Sequence, residues 1–256
     1  MESHSDYTFN RNLHKVYPEI VRGEGNYLTT HDGQEVFDGC SGAAVSSIGY
    51  GNDRIITAIS DSLRNIGTPY LASSYWTSGV VNLLSKELIE GTGGKMARVY
   101  LTGSGSEAME AAIKLSRQFF LEKNPPEFDR VNFITRENSY HGNTIGALSV
   151  SGHIARKKPY LPFLMKNVHQ ISSCYAYRQR NEGESDADFV AKKVAELEKK
   201  FQDLGPNTVI AFIAEPIVGA ALGCVPSVHG YFEAMSEVCH KHGALFIMDE
   251  VMCGMG

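Results

Sequence analysis

Leu245-Phe246-Ile247-Met248-Asp249-Glu250-Val251-Met252-Cys253-Gly254-Met255-Gly256 is an apolar run of strand length that ends in two adjacent carboxylates and then a small-residue turn. A strand buried on both faces of a parallel sheet reads as a continuous apolar run. Open α/β sheets bind ligands at the carboxyl ends of such strands. Asp249 therefore stands where a bound cofactor is expected.

Working back from this stretch, the same rhythm recurs. Val209-Ile210-Ala211-Phe212-Ile213-Ala214 reads as a buried strand followed by Glu215-Pro216. Val131-Asn132-Phe133-Ile134-Thr135 is another, followed by Ser139-Tyr140-His141-Gly142. Arg98-Val99-Tyr100-Leu101-Thr102 reads as a third. Helical periods lie between them. Residues 107–121 place Ala108, Ala111, Ala112, Leu115 and Phe119 on the expected packing face, and a helix opens near His141. Residues 188–204 carry Val190, Val194, Leu197, Phe201 and Leu204, stopped by Gly205-Pro206, and residues 231–242 form the last helix. Strand and helix in alternation predict a parallel α/β sheet with flanking helices. Helical periods are also read over 52–65 and 78–90. Residues 1 to about 45 read as irregular, with a small hairpin at 27–30 and 35–38, and residues 160–185 give weak signals.

Bulk composition narrows the function. The chain has 256 residues, 43% of them hydrophobic, and a net charge of −5 without a long basic run. That argues against nucleic acid or an anionic membrane surface as the main partner. No stretch has the apolar length of a membrane span. The start, Met1-Glu2-Ser3-His4-Ser5-Asp6, has no apolar signal core. Five scattered cysteines without a CxxC pair read as reduced thiols of a cytoplasmic protein. Neither they nor the nine histidines fall into a metal-ligand spacing.

The strongest local motif is Thr102-Gly103-Ser104-Gly105-Ser106-Glu107-Ala108, between a strand and a helix. Glycines let the backbone approach a ligand, and the free amides of a helix start favour an anion. An ordinary turn with Ser106 as N-cap reads equally well. Gly103, Gly105 and Ala108 also fit the GxGxxA form of a dinucleotide fingerprint, with Glu137 as the ribose contact. The other strand ends weigh against that form. A phosphate cradle, an aromatic face and a carboxylate around one crevice suit a small ring bearing a phosphate and a basic nitrogen. Pyridoxal phosphate has that shape and needs its ring nitrogen protonated.

Ser104-Gly105-Ser106-Glu107-Ala108, Ser139-Tyr140-His141-Gly142, Ala214-Glu215-Pro216 and Phe246-Ile247-Met248-Asp249-Glu250-Val251 stand in the order seen in class III aminotransferases, which this chain resembles over roughly residues 20 to 256. These are pyridoxal-phosphate enzymes of the ornithine, 4-aminobutyrate and omega-amino-acid type. Phe37-Asp38-Gly39 and Gly49-Tyr50-Gly51 look like their N-terminal substrate-loop region. The resemblance implies the large domain of a fold type I transferase, incomplete at its C-terminus. Residues 1–45 would belong to the small domain and 46–256 to the cofactor domain.

By the same resemblance, Ser104, Gly105 and Ser106 would hold the cofactor phosphate. Tyr140 would stack on one face of the ring and Val251 on the other. Asp249 would pair with the ring nitrogen, Glu215 would support these groups, and His141 would neighbour the ring. Cys40 to Ala43 and Tyr75-Trp76 would border the substrate pocket. The family's Schiff-base lysine would lie after the strand that follows Asp249, where this chain has no residue; Lys241, in the preceding helix, is no replacement. The expectation is a homodimeric aminotransferase that moves an amino group from an amine or amino acid to a 2-oxo acid, the 256 residues alone being inactive. The rival readings are a nicotinamide dehydrogenase and a non-catalytic, aminotransferase-like interaction protein.

Overall fold

The computed structural model describes residues 7–10 and 12–254. The chain divides into two compact units, Met1–Val99 and Tyr100–Gly256. In the first, β1 (Ile20–Glu24), β2 (Tyr27–Thr30) and β3 (Glu35–Phe37) form an antiparallel meander in sequence order. The expected hairpin is thus β2–β3, with Leu28 opposite Val36. β1 is a strand that the turn signal at Gly23-Glu24-Gly25-Asn26 concealed, because only Gly25 and Asn26 make the turn. The first unit continues with the short α1 (Ser41–Ala44), then α2 (Asp53–Ile66) and α3 (Gly79–Gly91). Asn52 and Ser78 cap these last two helices by accepting from the amides of Ile55 and Val81. The two segments expected to form a substrate loop are pinned together. Tyr50 exchanges both backbone hydrogen bonds with Gly25, and its hydroxyl donates to Asp38.

In the second unit, α4 (Gly105–Leu121) is followed by β4 (Asn132–Arg136), then the short α5 (Ile145–Val150) and α6 (Ile154–Lys157). β5 (Val168–Ile171), α7 (Ala176–Gln179) and α8 (Asp186–Leu204) come next. β6 (Val209–Ala214), the small hairpin of β7 (Ile217–Val218) and β8 (Val225–Pro226), α9 (Tyr231–Lys241) and β9 (Leu245–Met248) complete it. The main sheet has the order β5-β4-β6-β9, and every neighbour is parallel. This is the α/β arrangement expected from the sequence.

β6 is the hub: all six of its residues are buried, as its unbroken apolar run predicts. Phe212 packs with Phe189, Leu197, Phe201, Tyr231 and Met235, which belong to α8 and α9. Ile210 and Ile213 pack with Met109, Ile113 and Phe120 of α4 and with Ala147 and Val150 of α5. Emptying one large site in either layer, as in Phe120→Ala, costs about 3–5 kcal/mol.

Three local expectations are corrected. Arg98 to Thr102 forms no strand, because a strand persists only with a ladder partner and no described strand lies beside it. α4 buries Met109, Ile113, Ser116 and Phe120, leaving Leu115 and Phe119 exposed. Apolar residues occupy both of its sides, so periodicity could not say which faced the sheet. The helix expected from His141 begins at Ile145, since Gly142 takes a positive φ of 130° and breaks the helical path.

Candidate active site

The strand ends converge. After β4, the Tyr140 amide donates to Oε1 of Glu215, which follows β6, at 2.9 Å. The Gly219 amide reaches the other oxygen of Glu215 at 3.3 Å. Glu215 is buried, and that burial raises its carboxyl above the ordinary glutamate range against the pull of the two amides. Its backbone carbonyl accepts from the fully buried Arg136 at the end of β4.

Asp249 follows β9, where its amide continues the ladder to the Ala214 carbonyl at 2.9 Å. Its Oδ2 lies 2.7 Å from Nδ1 of His141, with side-chain exposures of 5% and 0%. The His141 amide is held in turn by Ser151 Oγ at 2.8 Å. Oδ1 of Asp249 accepts from the Val251 amide at 3.2 Å. Thus His141, expected beside the ring, has the strand-end carboxylate as its partner.

The glycine-rich segment joins the same cluster through backbone packing. Ser104 is the N-cap of α4, accepting from the Glu107 amide at 3.2 Å, so the expected cap at Ser106 moves two residues back. Glu107 reaches back to the Gly103 amide at 2.7 Å, which makes a capping box shifted by one residue. Ser106 instead accepts from the Asn143 amide at 2.9 Å, tying α4 to the turn after β4. A Cβ at Gly142 would lie 2.7 Å from Ser106 Oγ and 2.9 Å from the Ala147 methyl, so only glycine lets this turn close on α4. A Cβ at Gly105 would meet both Val251 methyls at 2.9 Å. Val251 therefore rests on the first turn of α4 while its amide holds Asp249.

All eight expected site residues in this unit, Ser104, Gly105, Ser106, Tyr140, His141, Glu215, Asp249 and Val251, form one connected cluster. Cys40, Tyr75 and Trp76 are exposed residues of the first unit. Ser151, Gly219 and Arg136 were missed, since their partners lie in other elements or on the backbone and leave no sequence pattern, whereas the Ser104-x-x-Glu107 spacing of the capping box is a signal in the sequence itself. Lys241 pairs with Glu198 of α8 at 2.5 Å, outside this cluster.

The donor set fits a group with an anionic end and a basic ring nitrogen. Among the described residues the Gly105 and Ser106 amides have no acceptor, as the first turn of a helix dictates. The Asp249 carboxylate keeps lone pairs beyond the two already engaged.

A parallel sheet with this strand-end cluster defines the large domain of a fold type I pyridoxal-phosphate enzyme. The sequence profile of the class III aminotransferases matches residues 8–256, and the chain belongs to that family. It is 44% identical to an aminotransferase of Gibberella zeae over 93% of this chain and 46% of the relative. A taurine–pyruvate aminotransferase of Bilophila wadsworthia is 35% identical over 92% of this chain and 50% of its own. Among solved structures, an amine transaminase from an uncultivated Pseudomonas species in its PLP-bound form superposes with a TM-score of 0.87 at 31% identity. That match covers 99% of this chain and 56% of the other. An omega transaminase of Pseudomonas jessenii in complex with PMP gives a TM-score of 0.85 at 31% identity, over 94% of this chain and 52% of its own. The chain thus spans about half the length of the relatives it matches. Family membership removes the dehydrogenase reading, and pyridoxal phosphate is the family's cofactor.

Proposed function

We propose that these residues form the cofactor-holding part of an aminotransferase that moves an amino group from an amine or amino acid to a 2-oxo acid. The observation that carries the reading is the buried contact between His141 and Asp249 at the end of β9, joined through Val251 to the first turn of α4.

In this reading the Gly105 and Ser106 amides and the Ser104 and Ser106 hydroxyls hold the phosphate. Tyr140 and Val251 cover the two faces of the ring. Asp249 pairs with the ring nitrogen and holds a proton on it, and His141 fixes the carboxylate that does so. Glu215 fixes the Tyr140 backbone, so the aromatic face keeps its place. Bound pyridoxal phosphate supplies an electron sink for the substrate carbon. The nucleophile and proton carrier of this chemistry is a lysine, and Lys241, paired with Glu198, stands apart from the cluster.

The same reading assigns residues 1–45 to the small domain and 46–256 to the large one, a boundary distinct from the contact division at 99/100. It includes a homodimer, for which the uncovered apolar residues Leu115 and Phe119 of α4 give support. It also includes a cytoplasmic location, with which the five free cysteines agree. No helix among the described residues is long and apolar enough to cross a membrane.

The test is spectroscopic. The protein expressed from its whole coding sequence should show the visible band of lysine-bound pyridoxal phosphate. Borohydride should bleach that band, and an amine donor should discharge it. A protein that binds the cofactor and never discharges it belongs to the non-catalytic rival.

A further inference from the structure

A groove opens at the amino ends of the strands, whereas Asp249 lies at their carboxyl ends. It runs between α4 and the starts of β4, β5 and β6, with a cavity volume of about 440 Å³, within the range of small-ligand sites. Ile113, Phe133, Met165 and Ile210 form its floor. The first, second and fourth are buried members of the core layer under α4, and Met165 packs against that layer, so the groove is its uncovered margin. A hydrogen bond from the Asn167 side chain to the Val131 carbonyl ties together the two strand starts that border it.

The polar wall is cationic. Lys114 and Arg117, one turn apart on α4, both line the groove, and no aspartate or glutamate does so among the described residues. Arg117 uses Nη1 for the Arg130 carbonyl at 2.5 Å and the Glu127 carbonyl at 3.5 Å. These bonds fix the guanidinium and leave Nη2 and Nε without a partner among the described residues. The carboxylate of Glu127 is taken by Lys123 and Arg130. Lys114 is exposed and has no carboxylate partner among the described residues. Two uncompensated cations thus border an apolar floor in a chain whose net charge is −5. Their complement is a molecule with one anionic head and an apolar tail.

We propose that this groove binds a free medium-chain carboxylate, with the acid on Lys114 and Arg117 and the alkyl chain along the floor. The fork of Arg117 and the point charge of Lys114 both suit a carboxylate. A free acid fits better than a bilayer surface, because Ile113, Phe133 and Ile210 are a recessed floor and do not protrude around the cations. The site stands independently of the proposed function, since it shares no residue with the strand-end cluster.

The test is titration calorimetry on the protein from its whole coding sequence, loaded with pyridoxal phosphate. Octanoate, octan-1-ol and octyltrimethylammonium share a chain and differ in the charge of the head. Octanoate should bind at one site, the alcohol about tenfold or more weakly, and the quaternary cation not at all. Lys114→Glu reverses one rim charge at an exposed position and should weaken octanoate about tenfold, whereas Lys114→Arg should keep it. Met165→Trp should fill the groove and abolish binding. All three variants should hold the cofactor with wild-type affinity. Octanoate affinity unchanged in both Lys114→Glu and Met165→Trp would place the acid elsewhere, the cofactor crevice included, and overturn the proposal. So would equal affinity for acid and alcohol, or no octanoate binding by the wild-type protein. Co-sedimentation with phosphatidylglycerol vesicles in the absence of octanoate binding would assign the cationic rim to a membrane surface and overturn it as well.

Discussion

Asp249 shows how much a single residue can disclose and where disclosure stops. An aspartate that ends a buried strand is legible in the sequence, because burial of the run and ligand binding at strand ends are both local inferences. Its partner is not legible. His141 stands 108 residues away in another strand-end loop, and only the β4-β6-β9 order brings the two to 2.7 Å. The geometry sharpens what a substitution should do. Asn at 249 keeps the shape and most of the packing but loses the charge that, in the proposed function, holds the ring nitrogen protonated. In the full-length enzyme Asp249→Asn should lower turnover by about two to three orders of magnitude, as expected for lost electrostatic stabilisation. It should retain bound cofactor, since the α4 amides and the Tyr140 face are untouched. Turnover near wild type, measured beside cofactor content, would remove Asp249 from the proposed role.

Among the elements, α4 decides the site, and its two ends differed in legibility. The glycine–serine turn identified its start, whereas its alanine-rich body gave a face that the sheet does not use. β5 was missed for a related reason: four residues at the edge of a sheet, Val168 to Ile171, are too short for a period to declare itself. The first turn of α4 yields a graded test. Ser104→Ala with Ser106→Ala removes the N-cap, worth about 1 kcal/mol, and also the acceptor for the Asn143 amide. Melting temperature and cofactor affinity should therefore fall together. Gly105→Val should weaken the cofactor further, because its Cβ enters the space of the two Val251 methyls and displaces the residue that steadies Asp249. Calorimetry and cofactor titration on the full-length protein separate the two effects. A double alanine variant that loses stability while binding pyridoxal phosphate unchanged would show that the serines cap the helix and do nothing for the phosphate.

At the scale of the whole molecule, uncovered apolar surface is the informative quantity. α2 and α3, of 14 and 13 residues, have no buried side chain, and Ile56, Ile59, Val80 and Leu83 face solvent. β9 has β6 on one edge and no described strand on the other, and an open edge templates association. Surface of this kind calls for further protein to cover it. A polypeptide of residues 1–256 made alone should therefore aggregate or melt without cooperativity. It should also show no transamination, because no lysine follows Asp249 and Lys241 is engaged with Glu198 on α8. Light scattering, a thermal melt, and mass spectrometry after borohydride treatment with pyridoxal phosphate check these in turn. A monodisperse, cooperatively melting product with cofactor fixed to a lysine and measurable amino transfer would contradict both the site assignment and the need for cover.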